Sequence, residues 1–287
     1  MRYVAAKTAK EAAGLLAAEP GVTRVLAGGT DVLVQLKSGM VEPDLIVDIK
    51  TIPGLGEITA EDGGFRIGAA VANAVLGEHA GVVALWPGVV EGANLIGSTQ
   101  VQGRCTMAGN LCNGSPAGDA VPGLVAANAV ARIAGPEGTR DCPVAEIPAG
   151  PGKTTLKKGE IITSIYLPAR PERASDAYLR FIPRTEMDIA VASAAVSLEL
   201  NADGTVKAAR VALGAVAPTV VVADAAARIL VGTTLDGDTL ASFAKACEAV
   251  CNPIDDKRGT IAFRTRTAGT LAKRAALIAH ARAGGSK

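Results

Sequence analysis

Thr106-Met107-Ala108-Gly109-Asn110-Leu111-Cys112-Asn113-Gly114-Ser115-Pro116-Ala117-Gly118-Asp119 has neither a helical nor a strand period. It concentrates small residues, hydroxyls, amides and one carboxylate between apolar segments with helical spacing. A polar loop of this length either lies exposed or wraps a ligand, and apolar flanks favour the second. The hydroxyls of Thr106 and Ser115, with backbone N–H groups, suit a pyrophosphate. Asp119 suits ribose hydroxyls, or the N-cap of a helix expected over 120–128, and both roles can hold at once.

A second glycine turn lies upstream. Leu26-Ala27-Gly28-Gly29-Thr30-Asp31 separates a short β-branched run, Val22 to Ala27, from a helical segment, Asp31 to Lys37. That helix sets Val32, Leu33 and Leu36 on one side. Glycines let backbone approach a ligand closely, and free N–H groups at a helix start favour an anion. The turn is not a Walker motif, because no Gly-Lys-Ser/Thr follows, and it lacks the third glycine of the Rossmann fingerprint. Alone it is an ordinary strand-to-helix turn.

Further out, Thr8-Ala9-Lys10-Glu11 has the form of a capping box, which starts a helix running to about Ala18. Strands are expected at 45–47, 65–69 and 161–167, and helices at 72–79, 82–97 and 120–128. Pro148 to Gly152 looks like a linker. Beyond about residue 175, the runs Ile189–Leu200 and Val206–Val216 flank the turn Asn201-Ala202-Asp203-Gly204 as a hairpin. Three helices follow, at 219–230, 237–250 and 260–283, so 175–287 forms an antiparallel sheet backed by helices.

The 287 residues are 49% hydrophobic and carry a net charge of +1, with no basic stripe, so a nucleic-acid partner is not expected. No apolar run reaches the roughly 18 residues of a membrane span. Five cysteines without disulfide-framework spacing suit a reducing cytoplasm. Without Cys-x-x-Cys, neither a cluster nor a metal is expected in this chain, and Cys247 and Cys251 are core residues. His79 and His280 accompany no nucleophile motif and take surface roles, while Trp86 is a packing anchor. No acid/base dyad is visible, so no catalytic residue is assigned.

Taken together, the two loops resemble the phosphate-binding pair in FAD subunits of the xanthine dehydrogenase and carbon monoxide dehydrogenase type. That family carries Ala-Gly-Gly-Thr/His-Asp/Ser, then Thr-Ile-Gly-Gly-Asn-x-x-x-x-Ser-Pro-x-x-Asp. The resemblance continues in Arg184-Thr185-Glu186-Met187-Asp188-Ile189-Ala190, in Gly214-Ala215-Val216-Ala217-Pro218-Thr219, and from Arg258-Gly259 through Phe263-Arg264. Ala108 replaces the family's first Gly of Gly-Gly, Cys105 replaces a Gly or Ala, and Phe263-Arg264-Thr265-Arg266 is a looser Tyr-Arg-Arg.

The resemblance implies an α+β chain. A two-subdomain FAD-binding domain of vanillyl-alcohol-oxidase (PCMH) type would span 1–170, divided at about 55. A C-terminal domain with antiparallel sheet and helices would span 175–287. It implies a pyrophosphate lined by Arg24, Val25, Leu26, Ala27, Gly28, Gly29, Thr30, Asp31 and Val32. Cys105, Thr106, Ala108, Gly109, Asn110, Asn113, Ser115 and Asp119 would lie opposite. Ile162 would pack near the isoalloxazine, Ile96 would also touch the cofactor, and Arg180 falls where the family often has a Lys near the flavin. It implies an iron–sulfur small subunit and a molybdenum-cofactor large subunit as partners, in a heterotrimer that pairs into a dimer. Electrons would pass from the iron–sulfur subunit to FAD and on to an external acceptor. The alternative is a stand-alone FAD oxidase or reductase of the same fold, which needs its own base or a covalent flavin attachment.

Overall fold

The computed structural model describes residues 1–284. It opens with β1 (Arg2–Ala5), α1 (Ala9–Ala18), β2 (Thr23–Leu26), α2 (Val32–Lys37) and β3 (Leu45–Asp48). The three strands are parallel in the order β1-β3-β2, with Leu45 paired to both Arg2 and Thr23. Every residue of β3 is buried, as a central parallel strand requires. At α1, Thr8 Oγ1 accepts the Glu11 N–H at 3.1 Å, and Glu11 Oε2 accepts the Lys7 N–H at 2.7 Å. The box thus closes one residue before the cap. No residue of α2 is buried, against the expected apolar face; Val32 and Gln35 look onto an open cleft.

Next come β4 (Ile58–Glu61), β5 (Gly64–Gly68), α3 (Asn73–Glu78), α4 (Ala80–Leu85), α5 (Pro87–Asn94), α6 (Thr99–Gln102), α7 (Met107–Cys112) and α8 (Ala120–Ala126). The single helix expected over 82–97 is divided at Trp86-Pro87, because proline has no N–H for a continuing helix and suits a first turn. The chain continues through β6 (Val130–Gly135), β7 (Gly138–Pro143), β8 (Pro148–Gly150), β9 (Lys153–Thr154) and β10 (Ile161–Leu167). The large sheet is antiparallel in the order β4-β5-β10-β6-β7. Pro148 to Gly152 is therefore no linker. It pairs with β9, and the Gly152 N–H donates to the Gly114 carbonyl at 2.9 Å.

The remainder holds β11 (Ala174–Phe181), β12 (Ala192–Leu200), β13 (Val206–Gly214), β14 (Val221–Val222), α9 (Asp224–Leu230), α10 (Gly237–Ala249) and α11 (Ile261–Gly284). The hairpin and its turn match the sequence reading. The helix expected from 219 starts at Asp224, because Val221 and Val222 join the sheet edge. Along α11, Ala268, Ala272, Ala275, Ala276 and Ala279 are fully buried, and their small size lets the helix lie close on β11 and β12.

The two parts meet through polar seams. Arg170 donates to the Leu85 carbonyl at 2.7 Å, to Asp176 at 2.8 Å and to Ser197 at 3.1 Å, and lies 3.6 Å over the Trp86 ring. Trp86 is indeed an anchor: its indole N–H donates to the Pro168 carbonyl at 2.9 Å. No helix among the described residues is long and apolar enough to cross a membrane.

Candidate cofactor cleft

A cleft of about 640 Å³ opens between the first sheet and the large sheet. Its first wall is the turn after β2. Gly28 has no room for a side chain, since a Cβ there would overlap the Arg104 carbonyl oxygen and come within 3.0 Å of Cys105 Cα. The two glycine loops therefore rest on each other through backbone. Gly29 takes φ +80, a conformation favouring glycine. Among the described residues, the N–H groups of Gly28, Gly29, Thr30, Asp31 and Val32 donate to no protein acceptor. Gly29 alone of the five is buried, and a run of N–H groups without protein acceptors, at residues that line a cleft ahead of a helix, suits an anion.

The second wall is not the aperiodic loop expected over 106–119. Residues 107–112 form α7, whose N-cap Thr106 accepts the Gly109 N–H at 2.9 Å. One and a half turns are too short to show a period. Asn110 Oδ1 accepts the Ala120 N–H at 3.1 Å, closing the loop on itself and satisfying the start of α8. Asn113 Oδ1 accepts from Gln35 Nε2 at 3.2 Å, tying α7 to α2. Burial pushes the Cys105 thiol up to about 11, which makes it a packing residue and a poor nucleophile.

Gly152, Thr154 and Leu156 to Ile162 form a third wall that the sequence reading did not assign, apart from Ile162. It brings in Lys157 and Lys158. The signal was a Lys-Lys-Gly run before a strand, which also describes a solvated turn. A register shift between Ile162 and Ser164 in the β10–β6 pairing sits beside the cleft, where Ile161 and Ile162 line it.

Of the residues expected to touch the cofactor, Arg24, Val25, Ala27, Gly28, Gly29, Thr30, Asp31, Val32, Ile96, Cys105, Thr106, Ala108, Gly109, Asn110, Asn113 and Ile162 line the cleft. Leu26, Ser115, Asp119 and Arg180 lie outside its lining. Leu26 is buried, with its Cδ1 packed against Gly29 of the turn. The Ser115 hydroxyl accepts the Ala117 N–H of its own turn at 3.2 Å. Asp119 is buried and fully engaged: the Tyr178 hydroxyl donates to it at 2.7 Å and Arg180 at 2.5 Å. It makes no side-chain cap to α8. Burial pushes its carboxyl up to about 6, while Arg180 and Tyr178 pull the other way.

His79 caps α4 through Nδ1, which accepts the Val82 N–H at 3.2 Å, and His280 Nε2 bonds the Gly204 carbonyl at 2.9 Å. Both are half-buried structural residues.

Free N–H donors, a cradle that a methyl group would fill and an apolar inner wall fit a dinucleotide with a flat ring system. Fold and cleft together define an α+β protein that binds a nucleotide cofactor. Residues 1–170 match the FAD binding domain in molybdopterin dehydrogenase, and residues 177–279 match the CO dehydrogenase flavoprotein C-terminal domain. The chain belongs to this family of FAD-binding oxidoreductase subunits. It is 32% identical over 285 residues to the xanthine dehydrogenase FAD-binding subunit of Escherichia coli O157:H7, covering 99% of this chain and 97% of the relative. It is also 32% identical to the carbon monoxide dehydrogenase medium chain of Hydrogenophaga pseudoflava, covering 98% and 97%. A solved structure of carbon monoxide dehydrogenase from that organism, lacking the Mo-pyranopterin moiety of the molybdenum cofactor, superposes with a TM-score of 0.94 at 33% identity, covering 98% of each chain.

Proposed function

We propose that this chain is the electron-transfer subunit of a heteromeric molybdenum hydroxylase. Electrons arrive from an iron–sulfur partner and leave for an external acceptor, while a molybdenum-bearing partner oxidises the organic substrate. When bound, FAD supplies the redox chemistry. The chain's own residues bind and orient it: Gly28 to Val32 offer N–H groups to the diphosphate, and the end of α5 and β10 supply apolar contact through Ile96 and Ile162. The observation that carries this reading is the row of five unpartnered N–H groups beside the closely packed glycine loops. The medium chain and FAD-binding subunit relatives support the heteromeric assignment. All five cysteines are unpaired, which supports a reducing cytoplasm.

The test is gentle purification of tagged protein from its native host, followed by a visible spectrum, mass spectrometry of co-purifying chains, and iron and molybdenum analysis. The expected result is non-covalent FAD, released on acid precipitation, with two partner chains carrying iron and molybdenum. A lone flavoprotein with substrate turnover of its own, and neither metal, establishes the stand-alone oxidase instead.

A further inference from the structure

Asn73 opens α3 and is completely buried. Its backbone N–H donates to the Cys105 carbonyl at 2.9 Å, at the entry to the second glycine loop. Its side-chain Nδ2 donates to the Ala93 carbonyl at 2.8 Å, in the last turn of α5. Ile96, three residues beyond Ala93, lines the cleft, and Cys105 directly follows Arg104, the residue against whose carbonyl Gly28 is pressed. One residue, through its backbone N–H and its side-chain amide, therefore joins the support of the second loop to the segment that carries an apolar cleft residue.

The remaining atom makes this placement informative. Asn73 Oδ1 has no hydrogen-bond partner, and it is the one such buried side-chain atom among the described residues. An unpaired buried acceptor destabilises a fold, so stability alone favours an apolar residue of the same volume here. What the amide provides in exchange is the Nδ2 donor.

We propose that Asn73 is a positioning residue of the cofactor cleft: its side-chain amide holds the end of α5 to the start of α3, whose backbone N–H is bonded to the entry of the second glycine loop, in the spacing that the flavin nucleotide requires. It touches no cofactor and acts through Ala93 and Cys105. The proposal rests on the FAD reading above.

The test uses the full-length chain stripped of flavin, with FAD as the probe. Wild type, Asn73→Leu and Asn73→His are compared by FAD titration, bound-flavin circular dichroism and thermal melting of the flavin-free form. Asn73→Leu removes both the donor and the unpaired oxygen, whereas the ring N–H of Asn73→His can reach the Ala93 carbonyl. The expected result for Asn73→Leu is an unchanged melting temperature, a changed flavin dichroism, and FAD affinity weaker by roughly tenfold, the equilibrium equivalent of one lost buried hydrogen bond. Asn73→His restores the affinity. Wild-type affinity in Asn73→Leu overturns the proposal, as does a variant that fails to fold, which assigns Asn73 to core stability. Failure of the wild-type chain to bind FAD refutes the earlier functional reading instead.

Discussion

Gly28 and Arg104 touch through their main chains: the Gly28 Cα faces the Arg104 carbonyl with no space for a methyl group between them. The contact sets the separation of the two cleft-lining loops, which lie 76 residues apart in sequence. It also explains why an otherwise unremarkable glycine pair stands after β2.

Gly28→Ala is expected to push the loops apart. Overpacking of this kind costs about 1–3 kcal/mol, and the displaced loops should bind FAD at least roughly tenfold more weakly. Gly14→Ala is the contrasting variant. Gly14 lies inside α1 with open space around its Cβ position, so alanine there should stabilise by about 0.5–1 kcal/mol and leave flavin affinity alone. Denaturant titration and flavin titration of both variants check the pair of signs.

Asp119→Ala should be far more damaging than Asp62→Ala. It leaves the Arg180 guanidinium buried without its partner, at a cost of about 3–5 kcal/mol. Asp62 is exposed in a turn at φ 48, where alanine costs about 1–2 kcal/mol. Because Asp119 sits at the end of the second loop, flavin retention should fall with stability in the first variant only. Equal melting temperatures for the two variants would refute the buried-pair account.

Arg170→Met is expected to destabilise by about 3–5 kcal/mol, because it leaves the almost fully buried Asp176 carboxyl without its partner, and that carboxyl must then bear an unpaired charge or take up a proton. Adding Asp176→Leu should recover most of that loss. A residual of about 1–3 kcal/mol should remain, because the Val89 N–H, which donates to Asp176 at 3.1 Å, loses its acceptor. A double-mutant cycle by chemical denaturation measures both figures.

The Arg264 guanidinium, with the N–H groups of Arg258 and Gly259, holds the Asp256 carboxyl below its ordinary value of 3.8. A carboxylate depressed in the folded state adds stability that is present above the unfolded value and is lost as pH falls through the folded one. Asp256→Asn should therefore melt below wild type at pH 7. The gap should narrow as pH falls below the ordinary value of 3.8 and close only below the lower folded value, where the native carboxyl protonates. Melting curves at pH 7 and across that acid range settle the sign.

The parts legible in the sequence are those with a long or strongly punctuated pattern. The hairpin of β12 and β13 announces itself through two apolar runs around Asn201-Ala202-Asp203-Gly204, and α1 through Thr8 and Glu11. The central loops of the cleft were legible because small and polar residues have few other reasons to gather between apolar helices. What escaped has physical causes. Six residues of α7 cannot display a 3.6-residue period, and Pro148 to Gly152 uses turn residues inside a short strand pair. The inward turn of Asp119 toward Tyr178 and Arg180 depends on a contact across some 60 residues, which local patterning does not encode.

The place of β10 in the large sheet has a consequence for biosynthesis. It is the last of the five strands to be made, yet it lies between β5 and β6 and pairs with both. Until residues 161–167 leave the ribosome, that sheet exists only as two separate hairpins with a vacant middle. The same segment contributes Ile161 and Ile162 to the cleft. Closure of that side of the cleft is therefore tied to the completion of the sheet, and a chain cut short at Gly152 has both glycine loops but lacks the strand between β5 and β6.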